Sequence, residues 1–140
     1  MRHKLFSAAS LFAIAGAAFT TAAFAQQATK PATEQELLTY QTMGALNICY
    51  LTSEKVPLAK AFPASLVMVG NVIARKHGSE IIEGGKTIKL EPKQVEIGAV
   101  VGITAVVKGM CAEKFEGEDK KQFDAQFDQI QKAIQQQSNK

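Results

Sequence analysis

Few residues in this chain have the types and spacing that chemistry needs. Past residue 25 there is a single histidine, His77. A zinc or two-metal site needs several His, Asp or Cys groups converging, so the sequence calls for no metal and no cofactor. His77 with Glu80, and Glu83 beyond it, is the one place where an acid–base pair could assemble. The competing reading makes His77 a cation on the last turn of a helix, next to Gly78 and after Arg75 and Lys76, where positive charge opposes the helix dipole. Tyr40 and Tyr50 could offer hydroxyls to a ligand, but on one helix such residues more often pack with only the polar tip in water. Glu113, Glu116, Glu118 and Asp119 form an acidic run that lacks the alternation and fixed glycine of a calcium loop, and it precedes a helix, where acids suit the dipole. Gly-x-Ser-x-Gly, phosphate-loop and HExxH motifs are absent.

Cys49 and Cys111 are the remaining reactive pair. In an exported chain an even pair reads most simply as a disulfide, which over so long a loop would stabilise the fold by roughly 4 kcal/mol. Two buried thiols or a redox pair are the alternatives, and the close Cys-x-x-Cys spacing of a redox pair is missing.

The compartment follows from the amino terminus. Met1 to Lys4 is short and basic, Leu5 to Thr20 is apolar, and Ala23-Phe24-Ala25 supplies the small residues read by signal peptidase. Residues 1–25 are therefore expected to be a signal peptide cleaved between Ala25 and Gln26. The product would be exported to a periplasm, a lumen or the medium. Losing Arg2 and Lys4 brings the formal charge of +3 close to neutrality, which argues against nucleic acid or an anionic membrane as partner. No second apolar stretch is read as approaching the roughly twenty residues of a transmembrane helix.

The elements that must position these residues are mostly helices. Residues 26–32, with Pro31, read as a flexible leader. Thr33-Glu34-Gln35-Glu36 has the form of a capping box, followed by an apolar face at Leu37, Tyr40, Gly44, Ile48 and Leu51. Gly44 reads as the site of a close helix crossing. Pro57 opens a second helix that Pro63 is expected to break, with Leu66, Val69 and Ile73 on one face and Gly78 closing it. Ile81-Ile82, Gly84-Gly85 and Thr87 to Leu90 read as a short hairpin. Val95 to Met110 alternates like a strand but has the length of a buried helix behind Pro92, so helix is the expectation, with Gly98 and Gly102 as a smooth face. Phe123, Phe127, Ile130 and Ile134 mark the last helix.

Cys49-Tyr50-Leu51, Lys76-His77-Gly78, the hairpin after it, Leu90-Glu91-Pro92-Lys93-Gln94 and Cys111 resemble small exported proteins of cyanobacterial type without established biochemistry. The resemblance spans most of Leu37 to Lys121. Some such proteins carry a cAMP phosphodiesterase label, which implies cyclic-nucleotide hydrolysis as an expectation. The metal-binding His and Asp cluster of such a hydrolase is missing from the residues.

The expected object is a mainly α domain over residues 33–136, with a frayed tail at 137–140. It has about four helices, the second broken at its proline, a hairpin before the third long helix, and one disulfide. Its expected role is non-catalytic binding of a protein partner or small ligand; the alternative is a small hydrolase using His77 and Glu80.

Overall fold

The structure is a computed structural model describing residues 29–138, and the signal peptide expected at residues 1–25, with its expected cleavage between Ala25 and Gln26, lies outside the described residues. Four helices appear in order, α1 (Glu34–Ser53), α2 (Leu58–His77), α3 (Pro92–Met110) and α4 (Gly117–Ser138), with strands β1 (Glu80–Glu83) and β2 (Lys86–Lys89) between α2 and α3. The mainly α architecture with an inserted hairpin and one disulfide is thus as the sequence predicts.

The capping box of α1 forms in full. The Glu36 amide donates to Thr33 Oγ1 at 3.2 Å, and the Glu36 carboxylate accepts from the Thr33 amide at 3.0 Å. Gly44, Ala45 and Ile48 are buried on one side of α1. A Cβ on Gly44 would lie 2.9 Å from Ile103 Cδ1 and 3.0 Å from Val69 Cγ2, so α1 meets both α2 and α3 where it has no side chain. Gly102 of α3 lies under Gln41, whose amide a Cβ would overlap, while Gly98 faces open space. Only one of the two glycines expected to form a smooth face therefore does so.

The break expected at Pro63 does not occur: α2 runs through it as one helix. Pro63 is exposed and only a turn and a half from the helix start, so its missing amide removes one hydrogen bond on the solvent side. The helix ends as predicted, with Gly78 at φ 59° and the Ser79 amide donating to the Ile73 carbonyl at 3.1 Å. By length and composition alone α2 is long and apolar enough to cross a membrane, a test that core helices also pass, and here its Leu58, Phe62, Val69 and Ile73 are buried in the core.

Gly84 (φ 55°) and Gly85 (φ 77°) make the turn between β1 and β2, and Glu80 pairs with Lys89 and Glu83 with Lys86 across the ladder. The expected flexible leader is corrected at its end. Ala32 pairs in parallel with Ile81, its amide donating to Glu80 and its carbonyl accepting from Ile82, both at 2.8 Å. Ala32 is fully buried.

Val95 to Met110 is helical. The buried residues Val95, Ala99, Ile103 and Val107 fall four apart, so they also satisfy an alternating pattern. The other alternating positions face outward: Ile97 is exposed and Val101 only half-buried. At the far end Cys49 and Cys111 form the expected disulfide, with Cα atoms 5.9 Å apart. Phe123 of α4 is fully buried and meets Phe115 edge-on at 5.4 Å. The helix continues through Ser138, so the tail expected to fray from residue 137 is helical there, and residues 139–140 lie outside the described residues.

Candidate functional site

His77 is where an enzyme would be sought. The helical register of α1 carries Glu36 and Tyr40 to the end of α2, where Lys76 and His77 meet them. His77 is 2% exposed and both ring nitrogens are engaged. Nδ1 lies 2.7 Å from the Lys30 carbonyl, which can only accept, so this nitrogen carries the proton and donates. In the neutral ring Nε2 then accepts from the Tyr40 hydroxyl at 2.9 Å. Lys76 Nζ donates to the same hydroxyl oxygen at 2.7 Å, sits 5.4 Å from the Tyr40 ring centre, and lies 3.6 Å from Glu36.

The expected helix-end cation near solvent is therefore corrected. His77 is a buried strut between α1, α2 and the Lys30 backbone. Its bonds run to a tyrosine and to a carbonyl of another segment because the Gly78 motif already closes the helix. The electrostatics follow the same network. Hydrogen bonds from the Thr33 amide and hydroxyl hold the Glu36 carboxyl below its ordinary value, against desolvation and with smaller help from His77 and Lys76. The bond to Tyr40, with Glu36 nearby, raises Lys76 above its ordinary value.

The other half of the expected acid–base pair is elsewhere. Glu80 pairs with Lys89 at 3.8 Å, and Lys89 also donates to the Gly78 carbonyl. Glu83 is exposed at the end of β1. One carboxylate of the acidic run is structural: Asp119 Oδ1 accepts from the Leu58 amide at 2.9 Å and caps α2 from across the fold. Among the described residues no group of three or more His, Cys, Asp or Glu could hold a metal. A surface cleft of about 660 Å³ contains the disulfide, Lys55 and Lys114 beside Glu116, Glu118 and Asp119, a mixed-charge lining with His77 outside it.

Two apolar surfaces escaped the sequence reading. Grooves of about 400 and 410 Å³ flank the first half of α3, one against α2 at Leu66 and Val67, the other against α4 at Ile130 and Ile134. The larger departure is on α1. Opposite its buried face, Met43, Leu46 and Tyr50 recur at three and four, and with Leu38 each is more than half exposed. A signal was available: from Leu37 to Ser53 the helix has no Asp, Glu, Lys, Arg or His. Surface helices normally place charges outward, so a charge-free helix is apolar on both sides.

No curated protein matches this chain, and no solved structure does. A family model described as a domain of unknown function, DUF8650, matches residues 35–140, well over half the chain, and the protein belongs to that family.

Proposed function

We propose that this protein is an exported, non-catalytic helical domain that binds a protein partner through the outward face of α1. The observation that carries this reading is the row Met43, Leu46 and Tyr50, with Leu38 on its flank, large apolar side chains left exposed on a helix with no charge between Leu37 and Ser53. Contiguous exposed apolar surface of this kind marks interaction sites in folded domains, and tyrosine and methionine are enriched at the centres of interfaces. Export is supported by the signal-like leader and by the closed pair Cys49 and Cys111, since disulfides persist in oxidising compartments.

The hydrolase reading retains one supporting feature, the Tyr40 hydroxyl held between Lys76 and His77. Against it, His77 is buried with both nitrogens committed, and Glu80 is paired to Lys89. General acid–base work needs a group that can reach a substrate proton.

Two measurements test the proposal. Protein immobilised on a support should retain a protein from the exported fraction that then binds the purified domain saturably, and Leu46→Glu should abolish that binding without lowering the melting temperature. Cyclic AMP incubated with the purified protein should remain intact. Turnover that His77→Ala removes would overturn the non-catalytic reading.

A further inference from the structure

We infer that the partner seated on the outward face of α1 is a second copy of this chain, packed antiparallel across a twofold axis near Leu46; the inference rests on the reading of that face as a contact surface. The charge pattern argues for it. An isologous interface sets each patch against itself, so any charge near the axis would face its like. A face free of charge from Leu37 to Ser53 meets its own copy without that repulsion. It also offers a different charged protein nothing for steering or selectivity.

The ends of the helix set its direction. Glu34 and Glu36 open α1, and Glu54 and Lys55 follow it. A parallel pair would align the two helix dipoles, whereas an antiparallel pair opposes them and sets Glu34 of each copy against the mixed-charge end Glu54–Lys55 of the other.

Side-chain spacing agrees. With the axis at Leu46, each copy's Leu46 packs on the other's. Met43 then lies under the other copy's Tyr50 ring, a favourable sulfur–aromatic contact. The small side chains Thr39, Thr42 and Ser53 beside this row leave grooves for it. Taking roughly 200 Å² for a large side chain, Met43, Leu46 and Tyr50 present on the order of 340 Å² per copy. That is under half of the roughly 800 Å² per partner in a standard interface, with polar neighbours adding part of the rest. An area below the standard size fits a dimer that dissociates on dilution rather than an obligate one.

The test is sedimentation of the protein as expressing cells process it, from about 1 to 300 µM, a range that brackets micromolar association. The wild type should shift from monomer to dimer. Leu46→Glu and Leu46→Lys should each remain monomeric with unchanged circular dichroism, and their equimolar mixture should dimerise again, because a twofold sets residue 46 against its counterpart. Val67→Glu, an equally exposed site on α2, should leave dimerisation intact. A wild type that stays monomeric, a dimer indifferent to Leu46→Glu, or a mixture that fails to re-pair overturns the twofold. Assembly beyond a dimer that Ile97→Glu also blocks would instead seat α1 in the groove between α3 and α4 of the next copy, and likewise overturns it. If the wild type is monomeric yet Leu46→Glu still abolishes binding of a retained protein, self-association falls and the contact surface stands. If Leu46→Glu changes neither, both fall.

Discussion

The three helices α1 to α3 and the fourth helix are held by different means. Where α1 crosses α2 and α3, contact is close enough that Gly44 has no room for a side chain, and a disulfide ties the far end. Helix α4 rests on an aromatic group, Phe115, Phe123 and Phe127, and on the single carboxylate of Asp119, while Ile134 near its end is 44% exposed. The difference teaches that covalent and steric precision is concentrated in three helices, and that the fourth is a cover packed mainly through its first half.

The harshest way to break this contrast is Ile103→Asp. Ile103 is fully buried against Gly44, and a carboxylate buried without a partner costs several kcal/mol, a large part of the about 5–15 kcal/mol of a typical domain. The cooperative thermal transition should disappear. Phe123→Ala should cost about 3–5 kcal/mol, from lost burial and the cavity left behind. Here hydrogen exchange separates the regions: amides of α4 should lose protection first, and acceleration of all helices together would show one cooperative unit.

Smaller effects sharpen the contrast. Asp119→Ala removes the cap on Leu58 and should cost about 1 kcal/mol by chemical denaturation, with faster exchange in the first turn of α2. The smallest effect concerns pH. Folding holds the Glu36 carboxyl below its ordinary value, so its contribution is present above the unfolded-state pKa and lost as pH falls through the folded one. Glu36→Gln should flatten that part of the acid limb of a stability–pH profile, while the neutral side chain keeps a weaker bond to the Thr33 amide.

Legibility in the sequence followed burial geometry. Helix α4 was the plainest to read because only one stripe of it is covered, giving clean spacing at Phe123, Phe127 and Ile130. Helix α3 was ambiguous because apolar residues surround it, and a row spaced by four hides inside an alternation by two. On α1 the inner row and the Gly44 crossing follow from helical spacing, whereas the outer row is marked only by missing charge, which leaves no periodic pattern. The site fared worse. The burial of His77 depends on Lys30 and Tyr40, each more than thirty residues away in sequence, and no local pattern announces them. The link between Asp119 and Leu58 is equally remote.

The bond between Cys49 and Cys111 spans 62 residues and encloses α2, the hairpin and α3 in one covalent ring. Its longest exposed run, residues 83–89, holds the turn at Gly84 and Gly85. A protease cutting there would open the ring without releasing a fragment, since both pieces remain joined through sulfur. A nicked molecule would keep its mass on a non-reducing gel and fall into two bands only when a thiol is added. In a protease-rich surrounding, such a chain tolerates a first cut.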